Sequence, residues 1–326
     1  MKIGKVPENV LKRAVFQQIH YRRPEVILHS GVGEDCAAAV LAPDEAFVFS
    51  TDPITGAEQG MGTFAVHITA NDLASSGAEP VGIMTSIILP KNTREIKLRR
   101  IMEEIDAACR ELKIEIMGGH TEVSDVVTKP VITVTGVGKV KRNRIISTAG
   151  LQPGDELVMT KWAGLEGTAI LATEHRKELI RKLPEELVDT AAGFIQYLSV
   201  VPEAAIAVKL GATAMHDVTE GGIFGALWEM GEASGVGIIA DIQKIPIRQE
   251  TIEVCEFYGI NPYQLISSGS MLIGCPKGNL LVEMLQEAGI SAAVIGRAEE
   301  GNDRIVMHGE EKRFLEPADS DELYKI

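Results

Sequence analysis

The chain has little cysteine, a deficit of positive charge, no low-complexity tract and no long apolar run. Its four cysteines, Cys36, Cys109, Cys255 and Cys275, are far apart and include no CxxC pair. That argues against a disulfide framework and a zinc site, and leaves most of them as small buried hydrophobes. Lys and Arg number 32 against 46 Asp and Glu, a formal charge of −14, so the net field repels nucleic-acid phosphates and anionic membranes. A polyanionic ligand then needs a bound cation, which turns clustered carboxylates into a site for phosphate. No segment reaches the roughly 18 consecutive apolar residues of a membrane span, and the opening MKIGKVPENVLKR has no apolar signal-peptide core. A cytoplasmic protein, with neither membrane nor nucleic acid as partner, is expected. What is present, 45% hydrophobic and 24% charged residues over 326 positions, suits a folded soluble chain of two domains.

Hydrophobic periodicity divides the chain into short β-rich runs and longer helical ones. AFVFSTD (46–52) and VGIMTSIILP (81–90) read as strands, the second stopped by proline. Between them TFAVHITANDLASS (63–76) reads as a helix with Phe64, Ile68 and Leu73 on one side. Ile96, Ile101, Ile105, Ala108 and Leu112 recur at helical spacing over 94–112, and PVITVTGVGKV (130–140) is the next strand. The stretch KRNRIISTAGLQPGD (141–155) suits a domain edge. Beyond it strands at ELVMT, ATAMHD, VGIIAD, SAAVIGR and RIVMHG alternate with helices near EGTAILATEHRKEL, 203–211, 221–233, 250–258 and 277–288.

Acidic and amide residues gather at element ends beside glycines. Glu34 and Asp35 in GVGEDCAAAV precede an apolar strand, and Asp52 ends one in STD; each alone is also what a solvated turn would carry. Asn71 and Asp72 are poor helix formers deep in a small-residue helix, so they either face solvent or are compensated by a partner. In MGGHTEV, Gly118 and Gly119 suit a turn whose N–H groups could face an anion, with His120 and Glu122 beside it. In HDVTEGGIFGALWEM, Asp217 or Thr219 can cap a helix beginning near Gly221, and Glu220 suits its first turn. One cap is enough for one helix. The recurrence of such turns points to carboxylates that converge on Mg²⁺ and phosphates.

The ordered set GEDCA, STD, ANDLASSGAEP, GGHTEV and HDVTEGG resembles the superfamily of aminoimidazole ribonucleotide synthetase (PurM) over residues 5–309. Its members include thiamine-monophosphate kinase and the hydrogenase maturation protein HypE, whose pattern is most similar. The resemblance implies an α/β plus α+β, two-domain PurM-like fold. Residues 1–148 would form the ATP- and Mg-binding dimerisation domain, its strands pairing across a homodimer into a β-barrel, and residues 149–326 the C-terminal domain, with ATP in the cleft between them. It implies Mg²⁺ held by Asp35, Asp52, Asp72 and Asp217, with Asn71 and Glu34 close by. Gly118 and Gly119 would meet the nucleotide through main-chain N–H groups, in company with Asn71, His120, Thr121 and Thr219. His120 stands where several relatives carry an acid, and Glu122 takes the metal role. Asp217, Glu220 and Lys161 would serve the reaction side.

Three departures bear on the acceptor. HypE dehydrates a carbamoyl group carried on a cysteine at its own C-terminus, whereas here DELYKI closes the sequence and no cysteine follows Cys275. Ser268 precedes Gly269 where HypE relatives tend to show Glu-Gly, and KWAGLEG (161–167) lacks their Gly-Asp-His-Gly run. The expectation is a HypE-like ATP- and Mg-dependent enzyme that activates a substrate oxygen by phosphoryl transfer, its acceptor a small molecule or protein-borne. The alternatives are a small-molecule kinase of the thiamine-monophosphate type and a non-catalytic nucleotide-binding partner in a maturation complex.

Overall fold

The structure, a computed structural model, describes residues 4–5, 8–28, 38–54, 59–317 and 320–326. The chain forms two compact units, one of residues 1–73 and 78–143, the other of residues 74–77 and 144–326. The first contains β1 (Gly4–Lys5), α1 (Glu8–Ala14), β2 (Val26–Leu28), β3 (Ala38–Ala39), β4 (Glu45–Ile54), α2 (Met61–Ser75), β5 (Glu79–Pro90), α3 (Glu95–Leu112), β6 (Glu115–Ser124) and β7 (Val131–Lys141). Its main sheet runs β1-β6-β5-β7-β4. Strands β5 and β6 are parallel, which requires a crossover, and α3 supplies it. On α3 the buried Leu98, Ile101, Met102, Ile105 and Cys109 keep helical spacing. Helix α2 lies close to α3, since a Cβ on Gly62 would come within 2.6 Å of the Ile101 carbonyl.

The sheet is open, with no closed barrel among the described residues. Strand β4 is one edge, and it alternates half-buried Val48, Ser50 and Asp52 with exposed Phe47, Phe49 and Thr51.

The second unit contains β8 (Glu156–Thr160), α4 (Leu165–Glu174), α5 (Arg176–Leu179), α6 (Glu185–Ala192), α7 (Val201–Leu210), β9 (Ala214–Asp217), α8 (Gly222–Ser234), β10 (Gly237–Asp241), α9 (Gln249–Tyr258), β11 (Met271–Cys275), α10 (Gly278–Glu287), β12 (Ala292–Glu299), β13 (Arg304–His308) and β14 (Glu311–Phe314), then a 3-10 turn, Glu322–Lys325. The sheet order is β14-β13-β10-β12-β8-β11-β9. Period-two alternation sends Leu157, Met159 and Leu272 to one face, where Ile223, Leu227 and Met230 of α8 cover them. Val158, Met271 and Ile273 go to the other, under Ala204 and Ala207 of α7 and Leu281 and Leu285 of α10. A third cluster joins α4, α6 and α9 through Leu171, Val188, Val254 and Leu265, with Leu323 of the last turn against it. Cys109, Cys255 and Cys275 are all buried free thiols. No single helix among the described residues is long and apolar enough to cross a membrane.

Candidate functional site

In the first unit two of the sequence-predicted carboxylates meet. The Ser50 hydroxyl lies 3.1 Å from Asp52 Oδ2 and closer still to Asp72 Oδ2. It has one proton and so donates to only one of them at a time. Asn71, next to Asp72 on α2, is fully buried. No cluster of three or more His, Cys, Asp or Glu side chains is gathered for a metal among the described residues. A cation here would hold two carboxylates and complete its shell with phosphate or water, the habit of Mg²⁺. The residues present fit that ion. Asp35 and Glu34 lie outside the described residues.

The Gly118–Gly119 turn expected from the sequence is not a turn. Both glycines sit inside β6, paired with Met84 and Thr85 of β5 just after a register shift. Gly119 has φ +153°, and a Cβ there would fall 2.1 Å from the Thr85 carbonyl oxygen, so strand pairing itself demands glycine. At Gly118 a Cβ would meet only Met84 Cε, at 3.6 Å; neighbour packing leaves that position open to a larger residue. His120 Nε2 lies 3.2 Å from Glu122 Oε2 on the exposed side of the strand, while Thr121 points inward and is buried. Register fixes the faces: Asp52 is opposite Val134, Val134 opposite Thr85, and Thr85 opposite Gly119. His120 and Glu122 are therefore on the other face from Asp52. The structure does not bring Glu122 to the Asp52–Asp72 pair, because the sheet intervenes.

In the second unit the HDVTEGG segment joins β9 to α8. Asp217, 5% exposed, is the last residue of β9 and pairs with Met271 of β11. Gly221 and Gly222 both take positive φ, and a Cβ on Gly222 would lie 2.6 Å from the Tyr263 carbonyl oxygen, so only glycine allows this close approach. Neither Asp217 nor Thr219 caps the helix through its side chain. The Gly221 amide donates instead to Asp321 Oδ2, at 2.8 Å and 100 residues away. Leu323 and Ile266 add amide donors to the same carboxyl. Burial pushes the Asp321 carboxyl above its ordinary value, the three amides oppose that, and the Glu220 charge raises it further. Thr219 is half-buried and Glu220 exposed. The Tyr324 hydroxyl donates to Glu220 Oε1 at 2.6 Å, and that bond, with burial, pushes the phenol up to about 12.

Lys161 directly follows β8 and takes a left-handed φ of 51°. Its buried ammonium donates to the carbonyls of Ser199 and Gly269, at 2.5 and 2.7 Å, and lies 2.5 Å from the carboxylate of buried Glu203. Burial pulls the ammonium down and the Glu203 carboxyl up, each opposed by the other's charge. Two carbonyls accept its protons and Glu203 stands beside it as counter-ion, so the lysine ties α7 to the 267–270 loop. Beside that loop Glu166, in the first turn of α4, is 3% exposed. Burial pushes its carboxyl up to about 7; the facing Ser268 hydroxyl and amide work against this, and the charges of Asp321 and Glu220 add to it.

Sequence reasoning did not single out Ser50, Glu166, Asp321 or Tyr324. Only Glu166 leaves a local signal, an acid within the otherwise uncharged run AGLEGTAILA.

Two α/β units, the first with Asp52 of β4 and Asp72 of α2 brought together and the second with carboxylates at the starts of α4 and α8, define a PurM-like two-domain protein. The chain belongs to the AIR synthase related family: residues 33–140 match its N-terminal domain and residues 152–309 its C-terminal domain. Carbamoyl dehydratase HypE of Cupriavidus necator is 32% identical over 253 residues, 74% of this chain and 69% of that protein. Hydrogenase expression/formation protein HupE of Azotobacter chroococcum mcd 1 is 30% identical over 278 residues, 81% of this chain and 78% of that one. Among solved structures, hydrogenase maturation protein HypE in complex with ATP superposes with a TM-score of 0.83 at 21% identity, over 98% of this chain and 97% of that one. A HypE–HypF complex gives 0.74 at 22% identity, over 85% and 92%. Thiamine-monophosphate kinase from Stenotrophomonas maltophilia K279a gives 0.76 at 17% identity, over 94% and 98%.

Proposed function

We propose that the chain is a HypE-like, ATP- and Mg-dependent enzyme that activates an acceptor oxygen by phosphoryl transfer. The observation that carries this is the meeting of Asp52 and Asp72 about the single Ser50 hydroxyl, which sets two carboxylates side by side for a cation. Asp52 and Asp72 would hold Mg²⁺, and Asp35 and Asp217 match positions that the family pattern gives to metal ligands. When bound, the ion would neutralise triphosphate and carboxylate charge together. Gly118, where neighbouring atoms do not require glycine, lets a nucleotide approach the backbone. Thr219 and Glu220 orient the acceptor, and Lys161 holds the Gly269 loop in place. The relatives named carbamoyl dehydratase and the HypE crystallised with ATP support the nucleotide and the dehydratase-type chemistry. A maturation protein in the manner of HypF is the partner class this reading favours.

A second reading, a small-molecule kinase, draws on Ser268 in place of an acid and on the likeness to thiamine-monophosphate kinase. The two differ in product: a kinase releases a stable phosphorylated acceptor, a dehydratase releases inorganic phosphate. The test is ADP release with Mg²⁺ across candidate acceptors, followed by analysis of where the phosphate goes. Asp217→Ala should lower ATP turnover at least tenfold, about 1.4 kcal/mol of barrier; unchanged turnover at saturating Mg²⁺ removes Asp217 from the mechanism. We also infer a homodimer joined along β4, whose edge presents Phe47 and Phe49 with ring centroids 5.8 Å apart.

A further inference from the structure

Three carboxyl groups meet at the start of α8, and they come from three separate stretches of chain. Glu220 precedes the helix, Asp321 caps it from the C-terminal turn, and Glu166 approaches from the first turn of α4. Asp321 is held by three amides and Glu220 by the Tyr324 hydroxyl. Glu166 differs from both. Its Oε2 is buried with no hydrogen-bond partner, and the charges that act on it most, Asp321 and Glu220, have its own sign. The 267–270 loop facing it carries serines and a glycine, none of which titrates as a carboxyl does. Tyr324 also faces it from the C-terminal turn. Like charges this close do not all ionise, and the proton stays on the member that is worst solvated and least hydrogen-bonded. Glu220 is exposed, and Asp321, as buried as Glu166, accepts from three amides. Glu166 is buried with only Ser268 facing it and its Oε2 unpartnered, so the two criteria taken together select Glu166.

We propose that Glu166 is a positioning residue for Glu220: by keeping its own proton it holds a further negative charge away from the carboxylate that receives the acceptor's proton. This rests on the phosphoryl-transfer reading above. As an amide or hydroxyl oxygen of the acceptor forms its bond to the γ-phosphorus, the bond to the bridging oxygen breaks, ADP leaves, and the acceptor's proton passes to the Glu220 carboxylate. Glu166 touches none of the reacting atoms. Its neutral form keeps a third negative charge away from a site that must also admit a polyanion, and its ionisation as pH rises through about 7 brings that charge in.

The test uses the full chain with Mg²⁺, ATP and the acceptor that best stimulates ADP release, between about pH 5.5 and 8.5. The parent's kcat/KM should fall roughly threefold or more across pH 7. Glu166→Gln, permanently neutral and of the same shape, should remove that limb and leave a flat profile. Infrared titration of both proteins supplies a readout independent of turnover: the carbonyl stretch of a protonated carboxylic acid, lost near pH 7 in the parent and missing from the variant. Parallel pH profiles in two active proteins overturn the positioning role and leave the phosphoryl-transfer reading standing. An infrared spectrum without such a band also overturns it. A parent that turns over no ATP at any pH, with a normal infrared titration, refutes the phosphoryl-transfer reading and, with it, the role of Glu166.

Discussion

Replacing Glu166 by glutamine should make the second unit more stable at high pH and change little at low pH. In the unfolded chain the carboxyl loses its proton near its ordinary 4.5; in the folded chain burial and the negative charges of Asp321 and Glu220 delay that loss to about 7. A folded-state value raised above the unfolded one leaves stability intact below 4.5 and erodes it as pH climbs through that window. The erosion is about 1.4 kcal/mol per pH unit and saturates above 7, which sets a ceiling of about 3 kcal/mol. Glutamine has no proton to lose, so the variant escapes the erosion. Both tryptophans, Trp162 and Trp228, belong to the second unit, and their fluorescence during urea unfolding reports that unit alone. The difference in unfolding free energy between variant and parent should grow steadily from pH 5 to 7.5. A constant offset over that range, whatever its size, would mean that Glu166 is ionised in the folded protein.

Lys161→Met should destabilise the second unit by about 3 to 5 kcal/mol by stranding the Glu203 carboxylate, and Lys161→Met/Glu203→Gln should recover part of the loss; a single variant as stable as the parent in the same urea assay contradicts the pairing. Gly119→Ala should cost at least about 1 kcal/mol, read as a lower midpoint in circular-dichroism melts, since its methyl group would collide with the Thr85 carbonyl; an unchanged midpoint shows that the strand relaxes freely. Phe49→Asp should shift the protein toward monomer in analytical ultracentrifugation; a dimer of unaltered affinity places the interface elsewhere.

Helix α3 was readable because its core residues repeat with helical spacing. The reading at 94–112 differs from the observed Glu95–Leu112 by one residue. Strands β5 and β7 were found within about two residues for the same reason. Asp72 attracted notice as a poor helix former, and the structure supplies a partner in Ser50, a residue hidden in the quoted STD. The Gly118–Gly119 pair misled because glycine marks both turns and strand irregularities, and only the carbonyl of Thr85, which no local rule can see, decides between them. The short segments Glu185–Ala192 and Gly193–Tyr197 were absent from the sequence reading. The cap of α8 escaped for a different reason. Local rules search the residues just before a helix, and this cap lies far downstream.

That separation has a consequence for biosynthesis. The amide of Gly221 leaves the ribosome 100 residues before the carboxylate that receives it, and Glu220 leaves it 104 residues before the tyrosine that grips it. While the sheet strands are being laid down, this corner must wait, solvated and imperfectly formed, until residues 321–324 arrive. A translation product stopped at about residue 317 would contain every strand of the second unit and still have its α8 entrance unlocked. Such a nascent fragment should be cut by proteases near 219–222, where the completed chain resists.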